Sequence, residues 1–132
     1  MRKTLQVLLT MGAAVTLAAS PSQTSDLAHL MRDKLDHAQK ILEAMVTSDW
    51  ATLDTQTREL EQITKDPRWT VLKYPEYARH SSEFVRAVQE LRRVAAQRDL
   101  EKTLKAYNAV TLQCVECHRY VSRARVVGAI EP

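Results

Sequence analysis

Cys114-Val115-Glu116-Cys117-His118 lies near the C-terminal end of a 132-residue chain and contains its only two cysteines. Cys-x-x-Cys-His is the attachment signature of a c-type haem. Each cysteine sulfur can form a thioether with a haem vinyl group, and the adjacent histidine can reach the iron from one face. Positions i, i+3 and i+4 share a side of a helix, so the run can present all three groups together if it is helical. Working outward, the question is whether the chain supplies an apolar enclosure, a sixth iron ligand and an oxidising compartment.

The pattern leading into the motif is helical. Leu100, Leu104, Tyr107, Val110, Cys114, Cys117, His118 and Val121 recur at steps of three and four, the signature of one helix face. This phase predicts that Cys114, Cys117 and His118 face inward on a last helix capped by Asp99. Val115, Glu116 and Arg119 are then expected to point elsewhere, and the tail from about Arg125 to fray.

Three further helices are predicted. Leu27, Leu30, Met31, Leu35, Ala38, Ile41, Leu42 and Met45 form an apolar face over about 26–46, with Asp33, Lys34, Asp36, Lys40 and Glu43 largely on the other side. Ser25 or Asp26 is placed to cap it. Trp50, Leu53, Thr57, Leu60 and Ile63 continue over about 49–64, with Arg58, Glu59 and Glu61 outward. Asp66-Pro67 ends that helix, because a proline disfavours helical backbone in the residue before it. Residues 65–75 form the longest connection, and Trp69, Val71, Leu72 and Tyr74 suit it to pack across the other elements. Pro75 opens a helix to about 97, whose inward line is Tyr77, Ser81, Phe84, Val88, Leu91 and Ala95. The expected fold is all-α, an antiparallel up-down-up-down four-helix bundle with covalently attached haem, in one domain over 21–132. Gly12 and Gly128 are the only glycines, and an aromatic fraction of 5% argues against a β-sandwich.

Residues 1–20 read as a cleaved secretory signal. Arg2 and Lys3 form the basic start, Leu5 to Leu17 is mostly apolar and uncharged, and Ala18-Ala19-Ser20 offers small residues for cleavage. An uncleaved anchor is the alternative, for which the apolar run is short. Removing Arg2 and Lys3 lowers the formal net charge from +3 to +1. The mature chain is thus nearly neutral, and no basic stripe suggests nucleic-acid binding. The location this implies is periplasmic or otherwise exported.

Three other meanings of the motif fit less well. A thioredoxin-type redox pair would sit near a βαβ pattern, and no strand pattern occurs. A structural zinc site needs four ligands. A disulfide within one helical turn is geometrically awkward.

The chain resembles the cytochrome c′ superfamily over about residues 26–124, most clearly in Asn108–Tyr120 around Cys-x-x-Cys-His. Tyr74–Phe84 is similar to a branch of bacterial cytochrome c′-like proteins. The resemblance implies one covalent haem c, with Cys114 and Cys117 as thioether positions and His118 as proximal iron ligand. It also implies a possible homodimer. Two positions depart from the family pattern. The place four residues after the haem histidine, often Arg or Lys, is Ser122, with Arg119 and Arg123 nearby. The place one turn before the distal position, often Arg, is Leu27.

In the family the distal position carries either a bulky apolar residue or a ligating methionine. Counting back from the turn at Ser48, Met31 falls close to this place, and thioether ligation would raise the potential of the iron. Methionine on an apolar helix face is also ordinary core filler. His29, His37 and His80 are the other candidate ligands, with His37 and His80 expected at the rim or facing solvent. With none of these, Leu30 or Leu35 would cover a five-coordinate iron. The expected function is single-electron carriage between unidentified redox partner proteins. The alternative is binding of nitric oxide or carbon monoxide at an open distal site. No enzymatic acid–base group is evident, and the chain is read as a non-enzyme.

Overall fold

The computed structural model describes residues 21–70, 72 and 74–126. It is all-helical, with no strand among the described residues: α1 (Pro21–Val46), α2 (Trp50–Ile63), α3 (Pro75–Ala95) and α4 (Leu100–Val126). A 3₁₀ turn, Pro67–Thr70, lies between α2 and α3. The proposed signal, and the tail beyond Val126, lie outside the described residues.

α1 begins at Pro21, five residues before the expected start. Proline is well suited to a first helical turn, where its missing N–H is no loss. α1 then ends in a Schellman arrangement. Ser48 takes the left-handed conformation at φ 56°, its N–H bonds Met45 O at 3.2 Å, and the Asp49 N–H bonds Ala44 O at 2.8 Å. Asp49 at once caps α2, its carboxylate accepting from Thr52 N at 3.0 Å and Thr52 Oγ1 at 2.6 Å. The α3–α4 turn repeats the device. Arg98 is left-handed at φ 54°, and the Asp99 carboxylate accepts from Lys102 N at 3.0 Å. That left-handed residue explains why α3 stops at Ala95 rather than near 97.

α3 packs extensively on α4, α1 on α2 and α2 on α3, whereas α1 and α4 barely touch. The core is Leu30, Ile41, Leu53, Leu60, Val88, Leu91 and Val110, all fully buried. Thr57 and Thr103 are buried among them because each hydroxyl donates to its own helix, to Asp54 O at 3.1 Å and Asp99 O at 2.7 Å. Trp69 reaches across as expected and is buried against Phe84, with ring centroids 5.4 Å apart. The Tyr77 hydroxyl donates to Trp69 O at 2.9 Å and so pins the connection to α3.

The packing departs from the periodicity at several points. Leu100 and Leu104 are exposed, and Thr103 and Ala106 are buried in their place. The start of α4 is therefore rotated relative to the phase set by its leucines. Leu42 is exposed, and Ala44 takes the inward position. Glu61 is buried rather than outward, because Arg92 of α3 reaches it with Nη1 2.6 Å from Oε2. His80, expected at the rim, is only 7% exposed and stacks near Tyr120 at 5.4 Å.

Candidate functional site

Where α1 and α4 diverge, they leave a cavity of about 690 Å³. One wall is α1, through Met31, Lys34, Leu35 and Ala38. The other is α4, through Val110, Cys114, Val115, His118, Arg119, Ser122 and Arg123. Leu60 and Phe84 close the space between them. Toward the N-terminal part of α4, the Tyr107 hydroxyl donates to Ala38 O at 2.9 Å and ties the two walls together.

Cys114 and His118 thus share the cavity wall, one helical turn apart. Cys114 is half-buried, and His118 is exposed at the cavity surface. Cys117 is also half-buried but does not line the cavity, and its electrostatic neighbours are Lys34, Cys114 and Tyr77. Both thiols are free. Burial pushes both pKa values up, with Lys34 opposing the shift. That is the reverse of a reactive redox cysteine, whose thiolate is favoured by its surroundings. Val115 and Arg119, expected to point elsewhere, line the cavity too. The cavity wall is wider than the narrow stripe defined by Cys114, Cys117 and His118.

Met31 stands on the opposite wall and also packs against the core. Leu35 lines the cavity but is 58% exposed, whereas Leu30 belongs to the core. None of the other histidines reaches the cavity. His29 is exposed, and His37 has Nδ1 2.7 Å from Gln56 Oε1, which makes that nitrogen the donor. His80 has Arg79 Nη2 at 3.2 Å from Nε2 and Glu83 Oε2 at 3.8 Å from Nδ1.

At the cavity, the periodicity also misassigned Lys34. It is half-buried and lines the cavity. Its ammonium lies 3.7 Å from the centroid of the Phe84 ring and 4.0 Å from that of Trp69. Burial lowers its pKa from 10.5 to about 8, partly opposed by Cys114 and Cys117. Its spacing held a clue. Lys34 is three residues after Met31 and four before Ala38, on the same side of the helix.

The cavity is apolar in its walls and cationic in its charges. Lys34, Arg119 and Arg123 line it, and among the described residues no aspartate or glutamate does. None of the three has an ion-pair partner among the described residues. Such a site suits a large apolar molecule that carries anionic groups. Its volume falls within the roughly 300–1,000 Å³ of small-molecule and cofactor sites. Among the described residues, no cluster of three or more His, Cys, Asp or Glu side chains could hold a metal ion by itself. A porphyrin iron brings four nitrogens of its own and asks only an axial donor of the chain. The cavity residues fit haem c in part: an apolar slot for the ring, cations for its carboxylates, and Cys114 and His118 on one wall for a vinyl group and the iron, with Cys117 beside the cavity rather than in its lining.

No family model, curated protein or solved structure matches this chain.

Proposed function

We propose that this chain is an exported mono-haem c-type cytochrome, similar to the cytochrome c′ superfamily, that passes single electrons between protein partners. In this reading the four helices run up-down-up-down, and residues 1–20 direct export to the compartment where haem is attached. The observation that carries the reading is the cavity itself. Cys114 and His118 share its wall, three cations line it without an acid, and Cys117 stands half-buried beside it.

Bound haem supplies the one-electron exchange of its iron. The chain supplies the setting. Cys114 and Cys117 would tether the ring at two points, and the helix that carries them would hold His118 in register. Arg119 and Arg123, one turn apart on α4 and both lining the cavity, would meet the carboxylates of the haem and take over the role left empty by Leu27. Leu35 and Val115 line the slot from α1 and α4, and Leu60 and Phe84 close its inner end. An apolar surrounding favours the less charged state of an iron centre and so raises its potential.

A five-coordinate form that takes nitric oxide or carbon monoxide is the second reading. One observation favours it: Met31 packs against the core as well as lining the cavity, which suits a filler as well as a ligand.

The test is expression of the full chain in a bacterial host carrying a c-haem maturation system. The expected product has the mass of the processed chain plus one haem and keeps its colour in acidified organic solvent. With Cys114→Ser and Cys117→Ser together, haem should extract. A wild-type product without haem refutes the reading. Ferric and ferrous spectra with and without carbon monoxide then separate an occupied sixth position from an open one.

A further inference from the structure

The wall opposite His118 contains two side chains with a lone pair to offer, Met31 and Lys34. They are three residues apart on α1, so they stand side by side. Leu35 and Ala38, the other lining residues of that helix, have none. We infer that Lys34, rather than Met31, supplies the sixth iron ligand across the cavity from His118; this rests on the haem reading above.

Three observations carry the inference. First, Lys34 is turned inward. A lysine ammonium ordinarily extends to water from the end of its stem. This one instead lies over Phe84 at 3.7 Å and Trp69 at 4.0 Å, at the inner side of the cavity. Second, no carboxylate holds it there, since it has no ion-pair partner among the described residues. An ion pair therefore does not explain why the chain keeps an amine in an apolar space. Third, Met31 has a structural task already, packing against the core cluster around Leu30 and Ile41.

Donor chemistry points the same way. Thioethers are soft donors, whereas ferric iron is better matched by nitrogen. The four-carbon stem of lysine is flexible and lets the amine swing from the two rings toward the centre of the slot. To ligate the iron, the Lys34 ammonium would release one proton to solvent and offer its lone pair. No electron is exchanged in that step. Trp69 and Phe84 hold the amine in the cavity before the haem is in place, so the ligand needs no entry path from solvent.

The experiment compares the ferric holo-protein with its Met31→Leu, Lys34→Leu and Lys34→Arg variants, by absorption and electron paramagnetic resonance. Haem attachment is verified in each by intact mass. Wild type is expected to be low-spin without the weak long-wavelength band of sulfur-ligated haem. Met31→Leu should leave both spectra unchanged. Lys34→Leu should abolish the wild-type low-spin signal, and Lys34→Arg should do the same while keeping the charge. The arginine arm separates ligation from a purely electrostatic role, and the covalent haem keeps each variant observable. A sulfur-ligation band in wild type, a high-spin wild type, or an unchanged spectrum in Lys34→Leu overturns the inference while leaving the haem reading intact. A protein with no attached haem overturns both.

Discussion

Replacing Lys34 by methionine in the haem-free chain is expected to stabilise it, and by more at neutral pH than in alkali. Methionine keeps much of the stem and removes the charge. Burial takes the Lys34 pKa from 10.5 to about 8. At ~1.36 kcal/mol per pH unit, this corresponds to about 3 kcal/mol acting against the fold while the amine is protonated in both states. The two ring contacts favour the charged form and so hold the shift below its full size, which makes the net gain from Lys34→Met about 1–2 kcal/mol near neutral pH and sets about 8 as the lower bound of the window. The direction of the pH dependence follows from proton counting. Between about 8 and 10.5 the unfolded chain binds more protons than the folded one, so wild-type stability rises with pH through that window. Below it, the penalty is present in full, and above it the penalty is gone. The methionine variant lacks this rise, so the gap between the two proteins should close as pH increases. Urea midpoints followed by circular dichroism measure the gap at each pH. Groups that do not interact with Lys34 cancel in the difference, and Cys114 and Cys117, whose thiol pKa values it lowers, are replaced by serine in both proteins. A variant no more stable than wild type near neutrality, or a gap of constant size into alkali, would refute the reasoning.

Four other outcomes are expected. Ser48→Gly and Arg98→Gly should each raise stability by about 0.5–1 kcal/mol in thermal or urea unfolding, because glycine takes the left-handed conformation without the Cβ clash. Arg92→Met should destabilise by about 1 kcal/mol by leaving the Glu61 carboxylate buried without its partner, and adding Glu61→Gln should recover part of that loss in a double-mutant cycle. Asp66, held down to about 2 first by its side-chain bond from Arg68, should show a carboxyl NMR titration well below the ordinary 3.8, and Arg68→Gln should bring it back up. Its contribution to stability is present above about 3.8 and disappears as pH falls through about 2. Arg119→Gln and Arg123→Gln in the holo-protein should each lower the midpoint potential, since removing a nearby cation favours the ferric state. Protein-film voltammetry reads this directly, and a rise in potential would contradict the proposed placement of those side chains.

Much of the helical architecture could be read from spacing, because burial of one face imposes a period that survives in the residue pattern. The breaks near Ser48 and Asp66 were legible for a local reason: a capping aspartate and a proline act within their own turn. Where the reading slipped, the cause was tertiary. Glu61 is a charged residue that looks solvent-facing until Arg92, thirty-one positions later, is brought against it. Leu100 and Leu104 look like core, yet Thr103 and Ala106 take the buried positions of α4, the Thr103 hydroxyl satisfied by its own helix. His80 reads as a rim residue until Tyr120 covers it.

The site divides in the same manner. By itself, the sequence determined that two cysteines and a histidine occupy i, i+3 and i+4 of a helix, since that depends only on local backbone geometry. It also put Met31 on an inward-facing line of α1. Only the tertiary structure decided what stands opposite His118 and with what charge. The divergence of α1 from α4 opens the cavity, and Trp69 and Phe84, from two other segments, draw the Lys34 ammonium into it. A hydropathy pattern assigns lysine to water. Two aromatic rings brought together by the fold can hold it inside, because a cation is attracted to their faces. That attraction exists only once distant parts of the chain have met.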